Sequence, residues 1–227
     1  MFSFYNHTSS CFFILTLSVA SSRYAIVERA FTNFYNQHEH YELQNLSISE
    51  FNAEDVLYQV YDGRFTLGVI LISSDEKAHW KHKAGLYNLT WETLSIQPSY
   101  IQVGMQHPLA QKQSVCIEEL KDYPHATMAA SDVSSILSCS DIRGYDEKRA
   151  KKRILVNDKS MMYEILTHTN AFYIGVNLEA LAPKNGQICY LPIEDTDVTI
   201  EIALLHLETH KLTKTEQSFI EELKKLL

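Results

Sequence analysis

Short apolar runs alternate along this chain with stretches whose apolar residues recur every three to four positions, and that alternation constrains the fold more than any other feature. Leu67-Gly68-Val69-Ile70-Leu71-Ile72 holds no polar side chain and reads as a strand covered on both faces. Phe12 to Val19 reads as a buried first strand of the same kind. Just beyond it, Ile26, Val27, Ala30, Phe31 and Phe34 fall on one helical face, which must pack on a sheet. Ser21 or Ser22 is placed to cap that helix.

The series continues. Tyr41 to Leu46 predicts a second strand, and a helix opening at Asn52 or Ala53 carries Val56, Leu57, Val60 and Tyr61 on one side. Asp62-Gly63 marks a turn. Trp91 to Gln97 leads through Pro98 into Tyr100 to Met105, a strand passing from one unit into another. A second series follows: a helix near Ile117 to Leu120, strand His125 to Met128, helix around Val133 to Leu137, strand Ile154 to Val156, helix Ser160 to Thr167 and strand Phe172 to Val176. Val198 to Leu207 predicts a further strand. Thr213 and Glu216 have capping-box spacing ahead of a closing helix with Phe219, Ile220, Leu223 and Leu226 on one face. The pattern is that of an α/β protein with mainly parallel strands.

With 227 residues, 45% apolar and 21% charged, the chain can bury one large core or two small ones. A net charge of -8 argues against wrapping nucleic acid, which needs a concentrated basic surface. The basic run Lys148 to Arg153 leads straight into Ile154-Leu155-Val156 and reads as a solvated helix end or strand entry, with contact to a phosphate or anionic partner as the alternative. Cys11, Cys116, Cys139 and Cys189 form no Cys-x-x-Cys pair, so reduced, mostly buried thiols are expected. Ser18-Val19-Ala20 has the look of an export cleavage site, but no Lys or Arg stands among the first ten residues, and the apolar run is too short to span a bilayer. No phosphate-cradling Gly-rich loop, nucleophile elbow or persuasive carboxylate pair is present, so no catalytic residue is assigned.

One ordered segment is more specific. Tyr100 to Met105 precedes His107-Pro108-Leu109-Ala110, which precedes Val115-Cys116-Ile117-Glu118-Glu119-Leu120 and Tyr123-Pro124. This succession of strand, His-Pro-Leu-Ala turn and short helix resembles the effector-binding domain of LysR-type transcriptional regulators. Asp62 to Ile70, Val156-Asn157-Asp158, Ala171 to Val176 and Thr213 to Ile220 extend the likeness over nearly the whole chain, although Thr66 stands where an acidic residue is common. The resemblance implies two Rossmann-like subdomains joined by two crossover strands, like a type 2 periplasmic binding protein. Subdomain I would hold residues 11–97 and 197–227, subdomain II residues 98–196, after a tail of residues 1–10. It implies an effector-sensing function without turnover or cofactor, in a cytoplasmic homodimer that controls transcription. DNA would be reached only through a helix-turn-helix domain that this chain lacks. An exported solute-binding protein and a small enzyme on the same scaffold are the alternatives.

Ligands of such folds lie at strand C-terminal ends, where helix N-termini offer free N–H groups. Ser21 and Ser22 suit a small carboxylate or other anion, and Arg23 adjoins them. Thr127 and Met128 are expected across the cleft; Ser73 and Asn157 follow equivalent strands, and Gly175 allows close backbone approach. His107 belongs to its turn and is expected to be structural. His38 with His40, and His79 with His82, have metal-compatible spacing but no evident third ligand, so no metal is assigned.

Overall fold

The computed structural model describes residues 14–22, 24–128, 152–178 and 186–227. Among these, two sheets of five strands form. The first contains β1 (Leu15–Ser22), β2 (Gln44–Phe51), β3 (Leu67–Ser73), β4 (Glu92–Pro98) and β10 (Thr199–Leu205), in the order β2-β1-β3-β10-β4. Helices α1 (Ala25–His38), α2 (Ala53–Tyr61), α3 (Lys77–Leu86) and α6 (Lys214–Lys224) accompany it. The second contains β5 (Tyr100–Gly104), β6 (His125–Met128), β7 (Arg153–Val156), β8 (Phe172–Gly175) and β9 (Ile188–Pro192), in the order β7-β6-β8-β5-β9, with α4 (Ile117–Leu120) and α5 (Lys159–His168).

The chain passes between the sheets twice, from β4 to β5 at Ser99 and from β9 to β10 through residues 193–198. Buried Ser99 Oγ donates to the Val198 carbonyl at 2.8 Å, tying the two passages together. Each passage delivers a strand from the opposite sheet, so β10 runs antiparallel to β3 and β4, and β5 runs antiparallel to β8 and β9. The sheets are therefore mixed where mainly parallel strands were expected.

Burial follows the apolar pattern. Leu67, Val69, Ile70 and Ile72 of β3 are buried, as are Ile26, Val27, Ala30 and Phe34 of α1; apart from Ala30, each such side chain contributes about 2 kcal/mol relative to exposure. The closing helix α6 returns to α1, where the Phe219 ring meets Phe31 and Phe34 edge-on at 6.4 and 6.3 Å. Its capping box is formed, with Thr213 Oγ1 accepting from Glu216 N–H and the Glu216 carboxylate accepting from Thr213 N–H. Asn52 caps α2 by accepting from Asp55 N–H at 2.8 Å, and Gly63 takes φ +69° in the turn that follows.

Several expectations are corrected. Neither Ser21 nor Ser22 caps α1: both stay in β1, paired in register with Glu50 and Phe51 of β2, and the residue before the helix is Tyr24, whose side chain makes no capping bond. β2 begins at Gln44 because Tyr41 ends a turn, its carbonyl accepting from Gln44 Nε2 at 3.0 Å. Helix α3 and strand β9 were not foreseen. The expected helix at Val133 to Leu137, and Phe12 and Phe13 of the first strand, lie outside the described residues.

Candidate functional site

Parallel pairing puts the candidate residues on two edges. In the first sheet Ser21 is aligned with Val69 of β3, so Ser21, Ser22 and, further along, Ser73 share the edge at which the parallel strands end. In the second sheet Met128 is aligned with Val156, so Thr127, Met128 and Asn157 share the equivalent edge. His125 is aligned with Phe172, which carries Gly175 to the same edge as Met128. The edges face one another: Lys159, two residues after Asn157, pairs with Glu28 in the first turn of α1 and with Glu50 near the end of β2.

The hydroxyls divide into used and unused. Ser21 Oγ is buried and donates to the Ser22 carbonyl at 2.7 Å, and Ser22 Oγ accepts from Leu71 N–H at 3.4 Å. Ser73 Oγ and Tyr24 Oη are buried with no hydrogen-bond partner among the described residues. Burial pushes the Tyr24 hydroxyl well above its ordinary range, so it is a neutral donor. An unpartnered buried hydroxyl costs roughly 1–3 kcal/mol, which a ligand acceptor would recover.

The two helix starts differ as well. Asp158 Oδ1 caps α5, accepting from Met161 N–H at 2.8 Å, so that terminus already holds an anion. At α1 the Tyr24 side chain makes no capping bond, and the Val27 N–H donates to the Tyr24 carbonyl at 3.0 Å, so the partial positive charge of this terminus is not met by an anionic cap from the residue before the helix.

The likeness to known proteins extends from end to end of this geometry. The model of the LysR substrate binding domain matches residues 15–227. The chain belongs to that family. Among solved structures, the effector-binding domain of QuiR in complex with shikimate is similar at TM-score 0.61 and 15% identity, covering 94% of this chain and 96% of that one. The BenM effector-binding domain with benzoate is similar at TM-score 0.63 and 12% identity, covering 92% and 90%. HinK, a LysR family transcriptional regulator from Pseudomonas aeruginosa, is similar at TM-score 0.63 and 12% identity, covering 96% of this chain and 72% of that one. A comparison with curated proteins by sequence found no match.

Within this LysR-family fold the remaining candidates find their places. Thr127 is buried, Met128 half-buried and Asn157 exposed. A Cβ on Gly175 would lie 3.0 Å from the Tyr173 ring and 3.2 Å from Gln102 Nε2, both movable side-chain ends. Gly104 is under far greater demand, since a Cβ there would stand 2.3 Å from the Leu166 carbonyl at the end of α5; a Cβ on Gly68 would stand 2.9 Å from Val56 and Val60. His107 is a structural pin: Nδ1 accepts from Leu109 N–H at 3.1 Å, so Nε2 carries the proton and donates to the Asn170 carbonyl at 3.1 Å. Burial lowers its pKa, only partly countered by the Asn170 bond.

The two described cysteines are half-buried rather than buried. Burial and the nearby Asp195, Glu194 and Glu119 push the Cys116 thiol up, which keeps it protonated and unreactive. Cys11, Cys139 and Arg23 lie outside the described residues, as does all of the basic run except Lys152 and Arg153. No group of three potential metal ligands occurs among the described residues, and no described helix is long and apolar enough to cross a membrane. The sequence reading missed Tyr24, Lys159, Glu28 and Glu50. Tyr24 had a local signal, standing at the last position before the helical period begins; the ion pairs join residues more than a hundred positions apart and had none.

Proposed function

We propose that this chain is the effector-sensing part of a LysR-type transcriptional regulator, binding a small molecule between its two sheets without turning it over. The observation that supports the proposal is that the strand-end edges of the two sheets meet at Lys159, Glu28 and Glu50, beside an α1 start that Tyr24 does not cap. Buried Tyr24 Oη and Ser73 Oγ, without a hydrogen-bond partner among the described residues, are donors that a small carboxylate or other oxygen-rich anion would satisfy. Ser21, Ser22 and Ser73 would line one side, and Thr127, Met128, Asn157 and Gly175 the other. The subdomains would be residues 11–97 with 197–227, and 98–196. Shikimate on QuiR and benzoate on BenM support a ligand of this size and charge.

In the same reading, ligand occupancy biases the orientation of the two halves. A cytoplasmic homodimer passes that bias to DNA through a separate helix-turn-helix domain. The net charge of -8 agrees with DNA contact lying elsewhere.

A thermal-shift screen with benzoate, shikimate, sulfate and the amino acids tests the site. A compound that binds the native state raises the melting temperature by mass action, worth about 2.7 kcal/mol at a hundredfold excess over Kd. Ser22→Trp should keep the fold and weaken the bound compound at least tenfold by calorimetry. Unchanged affinity in Ser22→Trp would remove the α1 edge from the site.

A further inference from the structure

Among the described residues, contacts of three kinds join the two halves. The crossing passages are tied by Ser99 and Val198. Val176, just past β8, is buried in the apolar cluster of the first sheet, with Leu178 packed against it. The third contact is ionic: Lys159 Nζ, at the first residue of α5, lies 2.5 Å from Glu28 Oε1 of α1 and also pairs with Glu50 of β2. The crossing passages are covalent, and apolar packing responds weakly to charge. The ion triad is different, because its strength depends on charge and salt and it sits where the strand-end edges meet.

The arithmetic of the triad matters. Two carboxylates share one ammonium, so the cluster has a net charge of -1 when both are ionised. The carboxyls also contact each other: burial would raise Glu28, but the bonds from Glu50 and Lys159 outweigh it and hold Glu28 below the usual carboxylate range, while burial and the bond to Glu28 outweigh Lys159 and hold Glu50 above it. All three side chains are between about a third and a half exposed, at 32%, 48% and 32% for Lys159, Glu28 and Glu50. A contact so exposed makes and breaks easily and is screened by salt. Lys159 begins α5, two residues after Asn157 at the strand-end edge of the second sheet.

We propose that Lys159, Glu28 and Glu50 form a latch that holds the cleft closed in the ligand-free protein, and that breaking it lets the two halves swing about the Ser99–Val198 hinge. The latch itself does not depend on any ligand. Its use as the regulatory element rests on the effector-sensing reading above, in which an incoming anion would compete with the two glutamates for Lys159.

Energy transfer between dyes on unnatural residues at the exposed positions Lys81, in α3, and Gln111, after the His107 turn, reports the separation of the halves without any effector. Wild-type protein should lose transfer efficiency as salt rises from about 0.02 M to about 0.5 M, as exposed ion pairs are screened. Lys159→Met and the double variant Glu28→Gln/Glu50→Gln should show the high-salt value at every salt concentration, with far-UV circular dichroism unchanged. A wild-type signal that does not respond to salt overturns the latch. So does a Lys159→Met signal equal to that of wild type at low salt. The wild-type salt series needs no variant, so a folding defect in either variant leaves the test intact. Failure of the ligand screen with a salt-dependent signal would remove the effector reading and keep the latch.

Discussion

In the first half of the molecule the buried ionisable side chains include the carboxylates Glu201, Glu216 and Glu222; in the second half they include the histidines His107 and His125. A buried carboxylate must be ionised against partners or give up its charge, and each of these gathers donors. Glu201, in the middle of the first sheet, accepts from Trp91 Nε1 at 3.0 Å and pairs with Lys77 at 2.6 Å. Burial alone would raise its pKa, but the bonds from Lys77, Thr93 and Trp91 outweigh it and hold the group below the usual range. Glu216 is treated alike by Thr66, Thr213 and His210. Histidine has a simpler solution, which is to stay neutral. Burial, with help from Arg153, pushes His125 down to about 4, and its ring stacks on Phe172 at 4.9 Å. The comparison teaches that the halves carry opposite liabilities: partner loss threatens the first, and acid threatens the second.

The largest expected effect is in the first half. Glu201→Ala leaves Trp91 Nε1 and Lys77, whose side chain is 35% exposed, without their acceptor, and should cost about 2–3 kcal/mol in urea denaturation. A loss below about 1 kcal/mol would mean that the network contributes no net stability.

Next comes acid. The folded pKa of His125 lies below its ordinary 6.5, at about 4, so its contribution is complete above pH 6.5 and is lost as pH falls toward 4. Stability should drop by about 2 kcal/mol between about pH 7 and about pH 5. The carboxylates, depressed below their ordinary 4.5, are still ionised in that window. Hydrogen exchange should therefore show β6 and β8 opening before β3 and β10. Equal protection of both sheets at about pH 5 would abolish the contrast, and His125→Phe should flatten this part of the pH profile.

The smallest effect is expected at His107. His107→Phe keeps the packing on Tyr123, whose ring lies 4.6 Å away, but strands the Leu109 N–H and Asn170 carbonyl, for a cost of about 1–2 kcal/mol. No change in the melting temperature would show that the ring's bulk alone holds the turn.

The fold was legible wherever one segment carried its own pattern. β3 announced itself by continuous apolarity, α1 by its 3.6-residue period, and α6 by period and capping box together. The misses share a cause. In α3 only Ala84 is buried, so its helical period was hidden among Lys, His and Trp. β2 is an edge strand, alternating with exposed Asn45, Ser47 and Glu50, and its polarity drew the expected strand toward Tyr41. β9 ends in Pro192, whose missing N–H counts against a strand, yet β9 is at the edge of its sheet, where that loss is tolerated.

The candidate site was legible in part. Strand ends could be located from the pattern, so Ser21, Ser22, Ser73, Thr127, Met128, Asn157 and Gly175 were all nameable, and their pairing registers place them along two edges. Which hydroxyls are already engaged could not be seen, because Ser22 Oγ meets an amide 49 residues away, while packing from several elements at once leaves Tyr24 and Ser73 without a partner among the described residues.

By itself, the sequence determined the α/β class, the helix and strand order of most segments, and the His107 turn, because periodicity, capping and short-range hydrogen bonds act within a few residues. Tertiary structure alone decided that Tyr24 rather than a serine precedes α1, that Gly104 rather than Gly175 is sterically required, and that Lys159 reaches Glu28 and Glu50. Those outcomes depend on which surfaces two sheets bring together, a property of long-range packing that no local pattern encodes.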